Sequence, residues 1–173
     1  MAFCLVYVSN CYIINGDLPH SFHWSGKVKK LIIMRGIPGS GKTTKANELM
    51  KASPDSVRCS ADDFPGYYLS GSYQWSQETA TLAYFYCRNL FLHHLAKGTS
   101  LIVVDNMHIK KRDYKFFKKE AIKNGYEVEI CEIPFDKTQV SLYTRRNLHG
   151  ITEERMLLLI NKYQPEENNH EKV

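Results

Sequence analysis

Long apolar runs are missing from this sequence. One near the start, Ala2 to Val8, spans seven residues, whereas a membrane-spanning helix needs ~20. No membrane partner is expected. No basic residue precedes that stretch, so a secretory signal also fits poorly. Cysteine is scarce: Cys4, Cys11, Cys59, Cys87 and Cys131 are five, odd in number, scattered, and without a C-x-x-C pair. They read as reduced thiols in an intracellular protein, cytoplasmic or nuclear, with no zinc site. His20, His23 and the His93-His94 pair lack thiol or carboxylate partners at metal-ligand spacing, and read as core or surface histidines. Internal repeats, low-complexity tracts and an N-K-x-D run for guanine recognition are absent as well.

What remains is an ordinary globular composition. The 173 residues are 43% hydrophobic and 24% charged, enough for one domain that buries roughly 70% of its unfolded surface. Wholesale disorder and a collagen-like chain are excluded. Lys plus Arg outnumber Asp plus Glu by 23 to 18, a net charge of +5 that leans mildly toward anionic partners.

Along the chain, residues 1–27 stand apart as an N-terminal extension, apolar and β-prone and then broken by Asn15-Gly16-Asp17, Pro19 and Gly26. From Val28, strand-like and helix-like segments alternate. Leu31 to Met34, Val57 to Ser60, Leu101 to Val104 and Tyr126 to Ile133 read as strands. Helices are expected after the glycine-rich turn at 36–41, from Ser76 to Gly98, over the basic stretch Lys110 to Lys123, from near Asp136, and from Thr152 to before Pro165. The expected fold is α/β, three-layered, with a mostly parallel sheet, helices on both faces and a helical lid. A domain over 28–164 and a polar tail over 165–173 complete the reading.

Gly36-Ile37-Pro38-Gly39-Ser40-Gly41-Lys42-Thr43 satisfies G-x-x-x-x-G-K-[ST] at every specified position, between a buried strand and an amphipathic helix. The glycines let the backbone curl, so successive N–H groups face an anion in the field of the helix N-terminus. Lys42 supplies charge for β- and γ-phosphates, the Thr43 hydroxyl serves a Mg²⁺ shell, and Thr44 follows in the first turn. Asp105, ending an apolar strand, is placed to hold a magnesium-bound water or orient an arginine; capping a helix is its ordinary alternative. ATP and Mg²⁺ are the expected cofactors.

A small P-loop chain without guanine signals favours phosphotransfer. Such a reaction needs a carboxylate for the proton of the attacking hydroxyl. Asp62-Asp63 stands just past the second strand and offers one, with a plain turn as the alternative. Arg145-Arg146, near a helix end in the C-terminal part, suit a lid that bridges phosphate oxygens.

Gly36 to Thr43 with Pro38, Asp62-Asp63-Phe64, Asp105-Asn106 and Arg145-Arg146-Asn147-x-His149-Gly150, in that order, resemble the 5′-hydroxyl polynucleotide kinase branch of P-loop kinases. This branch includes the phage end-healing kinase and related animal kinase modules. The resemblance covers roughly Lys30 to Tyr163. It implies Asp62 as general base, Lys42 and Thr43 on phosphate and magnesium, and Arg145 and Arg146 as the lid. Two positions depart from it: Pro65 stands where the phage type has an acceptor-holding arginine, and Met107-His108 replace Thr-Asn. The expected activity is transfer of the ATP γ-phosphate to a hydroxyl, foremost the 5′-OH end of a nucleic acid, RNA or DNA undecided. A small-molecule or nucleoside kinase and a catalytically weak ATP-binding module are the alternatives. Oligomeric state is not readable.

Two features bear on the acceptor. Tyr67, Tyr68, Tyr73 and Trp75 crowd the segment after Asp62, as base-stacking surfaces or as clamps on an irregular loop. Lys110, Lys111, Arg112, Lys115, Lys118 and Lys119 put six cations into ten residues, a track for a phosphate backbone or a solvated face.

Overall fold

The computed structural model describes residues 28–166; the extension over 1–27 and the tail beyond Glu166 lie outside the described residues. Four parallel strands form the sheet in the order β2-β3-β1-β4. They are β1 (Lys30–Arg35), β2 (Ser56–Cys59), β3 (Leu101–Asp105) and β4 (Glu127–Glu132). Parallel strands need crossovers, and α1 (Lys42–Lys51), α2 (Gln77–Lys97) and α3 (Lys115–Lys123) supply them. The central strands β1 and β3 are buried along their whole length, which explains the apolar runs Leu31 to Met34 and Leu101 to Val104.

Alternation along β1 sorts the core into two layers. Leu31 and Ile33 pack with Cys87 and Phe91 of α2 and Phe117 of α3 on one face. Ile32 and Met34 pack with Ala46 and Leu49 of α1 on the other. Each such buried side chain contributes about 1.5–3 kcal/mol. A third cluster joins Ile37, from the glycine-rich turn, to Tyr143 of α4 (Val140–Arg146) and to Met156 and Ile160 of α5 (Glu153–Lys162). The helical pair at the C-terminal end is thereby packed directly on the turn.

Helix ends follow the sequence signals. Ser76 Oγ accepts from Thr79 N at 3.0 Å, Gly98 closes α2 at φ 78°, and Thr152 Oγ1 accepts from Arg155 N at 3.3 Å. Two local expectations are corrected. The basic segment is not one helix: Asp113 Oδ2 captures Lys110 N at 2.8 Å, and a 3₁₀ turn over Lys111–Tyr114 precedes α3. The helix expected from near Asp136 begins at Val140, because the Asp136 carboxylate folds back on Thr138 N at 2.8 Å. The polar tail is anchored at its start by Arg35. That guanidinium is fully buried at the end of β1, where it pairs with Glu166, donates to the Gln164 and His108 carbonyls, and lies against the Tyr114 and Tyr163 rings.

Cys59 and Cys87 are free and buried, and Cys4 and Cys11 lie outside the described residues. Among the described residues, no helix is long and apolar enough to cross a membrane.

Candidate functional site

The C-terminal ends of β1 and β3 open into a groove of about 1810 Å³, the position where parallel α/β sheets take ligands. Its floor is the turn between β1 and α1, from Pro38 through Lys45. Gly36, Gly39 and Gly41 have φ of 146°, 74° and 98°, backbone that only glycine adopts freely. Gly39 also lies under α4, since a Cβ there would meet the Tyr143 carbonyl oxygen at 2.4 Å. A Cβ on Gly41 would meet nothing within 4 Å, so that stretch of backbone is open to an anion at the start of α1. Lys42 Nζ donates to the Ile37 carbonyl at 2.8 Å across the turn. The lysine is buried, and burial lowers its pKa against the opposing pull of Asp105 and Asp62. An ammonium desolvated in this way is poised to gain from a phosphate.

Asp105 ends β3 beneath this turn and is 3% exposed. Its Oδ2 accepts from Thr43 Oγ1 at 2.8 Å and from Arg58 Nη1 at 3.1 Å. Its Oδ1 is buried with no hydrogen-bond partner. A hydroxyl and a carboxylate oxygen side by side, one carboxylate oxygen unsatisfied, next to a phosphate-cradling turn, form a hard donor set that fits Mg²⁺.

The aspartate pair separates cleanly. Both residues sit on a 3₁₀ turn, Ala61–Asp63, capped by Ser60 Oγ and tied to Asn106 Oδ1 by Ala61 N at 2.9 Å. Asp63 is not part of the groove wall and takes a bidentate contact from Arg58 at 2.6 and 2.9 Å. Asp62 lies on the groove wall. Its Oδ2 is 3.4 Å from His149 Nε2, and hydrogen bonding to that carboxylate raises the histidine's pKa.

Arg146, at the end of α4, lines the groove; Arg145 is exposed and is not part of its wall. Tyr67 and Tyr73 pack on one another at 4.9 Å, and Tyr73 also meets Tyr68 at 5.8 Å and His149 at 4.6 Å. Those three tyrosines clamp their loop. Trp75 is 58% exposed on the groove wall. None of the six cations between Lys110 and Lys119 lines the groove. His108, one of the two departures, is buried at φ 46°, with Nδ1 donating to the Met34 carbonyl at 2.8 Å. It also forms part of the groove wall. His94 pairs with Thr99, as a surface histidine should.

Sequence reasoning missed Arg58, which joins Asp63 to Asp105, and Arg155, which enters the groove from α5. For Arg58 a signal existed: a lone cation within a short apolar strand whose end leads to an aspartate pair. Arg155 looks like any exposed helix residue.

A glycine-rich anion cradle, a lysine, and a Thr–Asp pair at the mouth of a parallel sheet define a P-loop protein with a kinase-like α/β fold. The chain belongs to the AAA domain family, whose sequence model matches residues 31–147. It is 30% identical over 135 residues to human NEDD4-binding protein 2, spanning 78% of this chain and 8% of that protein. Among solved structures, it superposes on a chain of the Pnkp1/Rnl/Hen1 RNA repair complex with a TM-score of 0.62 at 16% identity, covering 78% of this chain and 44% of that one. A candidate kinase from Chloroflexus aurantiacus gives 0.52 at 21% identity, covering 69% of this chain and 65% of that one. The resemblance to P-loop kinases drawn from the motifs is borne out at the level of family and fold.

Proposed function

We propose that this chain is an ATP-dependent kinase that phosphorylates the 5′-hydroxyl end of a nucleic acid. The observation that carries this is the position of Asp62. Its carboxylate shares the groove wall with the phosphate turn, while its neighbour Asp63 is committed to Arg58. In this reading the turn from Gly36 to Thr43 binds the triphosphate. Lys42 neutralises the transferred group, and Arg146, with Arg145 behind it, comes to the phosphates from the lid. Thr43 and Asp105 would hold Mg²⁺, which when bound withdraws charge from the phosphate oxygens.

Asp62 orients the acceptor hydroxyl and takes its proton as the new O–P bond forms and the bond from the γ-phosphorus to the bridging oxygen breaks. ADP leaves with that electron pair, and the proton passes to solvent. A positioned carboxylate suffices, because the hydroxyl becomes acidic only as the transition state develops. Support for a nucleic-acid acceptor comes from the order of motifs and from the fold shared with a chain of an RNA repair complex.

A second reading, a kinase of nucleosides or other small alcohols, is favoured by one observation: the basic segment lies off the groove wall. Transfer from γ-labelled ATP to a 5′-OH oligonucleotide and to a free nucleoside divides the two. Label on the oligonucleotide supports the proposal, label on the nucleoside alone supports the second reading, and ATP binding without transfer refutes both.

A further inference from the structure

The loop after α4 carries an imidazole that the reaction above does not use. His149 Nε2 stands 3.4 Å from Asp62 Oδ2, and its ring packs 4.6 Å from the Tyr73 ring at 44°. The backbone behind it is pinned by Asn147, whose Oδ1 accepts from His149 N at 3.1 Å and Ile151 N at 2.9 Å. Its Nδ2 also donates to the Ile151 carbonyl at 3.2 Å. The ring is thus fixed by an Asx-type turn behind and an aromatic face beside it. The Asp62 side chain, by contrast, is 52% exposed. Such a carboxylate turns freely unless a neighbour holds one of its oxygens.

We propose that His149 is a positioning residue for Asp62, holding Oδ2 so that Oδ1 faces the acceptor hydroxyl. The proposal rests on the kinase reading, with Asp62 as the proton acceptor. It makes the base ready only when the lid loop lies over it. Both ring states hold the carboxylate, but with different consequences. A neutral ring donates from Nε2 and leaves the carboxylate's charge for the substrate. Its Nδ1, buried without a hydrogen-bond partner, is then a bare acceptor, the less costly group to leave unpaired. A protonated ring draws the carboxylate into an ion pair and weakens it as a proton acceptor.

The groups facing His149 come from every side of the groove. Asp62 comes from the 3₁₀ turn, Tyr73 from the connection to α2, and Lys42 from α1; Arg146 and Arg155 share the groove wall. The Asp62 hydrogen bond raises the imidazole pKa against burial and Lys42, which lower it. Transfer therefore rises with pH as the ring loses its proton, in a range above the usual value of about 6.5.

The test combines an NMR titration with kinetics. The His149 ring titrates above its usual range in the wild type, and Asp62→Asn brings it down; a titration that Asp62→Asn leaves unmoved overturns the proposal. His149→Ala lowers kcat on a 5′-OH oligonucleotide by roughly 10- to 100-fold with KM for ATP unchanged, a part of the ~10²–10⁴-fold span of acid–base catalysis. His149→Gln keeps a donor at similar reach, recovers most of kcat, and loses the acid limb of the pH profile. Full kcat in His149→Ala, or an unchanged acid limb in His149→Gln, also overturns it. A wild type that transfers nothing while the NMR coupling holds overturns the kinase reading and the positioning role with it. An active wild type without the coupling overturns the His149 assignment alone.

Discussion

Asp62 and Asp63 differ by one methodical substitution each, and the structure assigns them opposite consequences. Asp63→Asn removes a bidentate partner from Arg58, seen at 2.6 and 2.9 Å. The Asp63 side chain is 40% exposed, so solvent screening keeps the pair near the ~0.2–1 kcal/mol of exposed ion pairs, toward the upper end for its fork geometry. Arg58 also keeps its Asp105 contact at 3.1 Å. Asp63→Asn should therefore lower Tm by about 2–4 °C and leave transfer within roughly tenfold of wild type. Asp62→Asn removes the carboxylate proposed as proton acceptor. It should cost ~10²–10⁴-fold in kcat, or about 3–5 kcal/mol of transition-state stabilisation at 1.36 kcal/mol per decade. Its stability should move by less than about 0.5 kcal/mol, as for other exposed sites. Labelled transfer to a 5′-OH oligonucleotide and thermal unfolding, run on both variants, give the four numbers. If Asp63→Asn cripples transfer at an unchanged Tm, the wrong carboxylate has been chosen. If neither variant loses transfer, the turn takes no part in the chemistry.

Three other perturbations test the surroundings. Lys42→Met keeps the buried stem and removes the charge, so phosphoryl transfer should vanish while the unfolding curve stays close to wild type; retained transfer would sink the phosphate-site argument. Gly39→Ala should cost more than about 1–2 kcal/mol and weaken ATP binding, since a Cβ there meets the Tyr143 carbonyl at 2.4 Å at an unfavourable φ. Gly41→Ala carries only the backbone strain, and equal Tm losses in the two variants would refute the close packing of α4. Burial pushes the His108 pKa down to about 4. As pH falls below about 6.5 the unfolded chain takes up a proton that the folded protein refuses, so stability declines from there to about pH 4, by ~3 kcal/mol at most. His108→Asn, which tolerates the left-handed backbone, should flatten that slope in pH-dependent denaturant unfolding; an unchanged slope would assign the acid sensitivity elsewhere.

The strands and the phosphate turn were legible because both are written locally. Leu31 to Met34 and Leu101 to Val104 are short unbroken apolar runs, and the glycine spacing before Lys42 is itself the geometry of the turn. Where a side chain recruits a distant backbone group, local reading fails. Asp113 and Asp136 look like ordinary helix-start residues, yet each folds back and shifts the first helical turn. The site divides along the same line. Asp62 and Asp105 could be named from position after a strand, but Arg58 joins carboxylates 5 and 47 residues away, and His149 meets Asp62 only once the lid loop is folded over it. Charge density alone does not locate the groove. The cations between Lys110 and Lys119 are the most conspicuous in the sequence, and the groove is lined instead by the sparser Arg146 and Arg155.

Arg35 determines where this unit can be cut. Its guanidinium, fully enclosed, is compensated partly by Glu166 and the Gln164 carbonyl, groups that lie past the last helix and past any boundary drawn from helix ends. A chain stopped at Tyr163 keeps every strand and helix but leaves that charge with only Glu132, at 3.8 Å, as its carboxylate partner. Removing one partner from a buried ion pair costs ~3–5 kcal/mol, a large share of the stability of a small domain. Because Arg35 immediately precedes Gly36, the disturbance would arrive first at the phosphate turn. A fragment trimmed to its secondary structure would then disturb that turn for a reason that has nothing to do with the residues that form it.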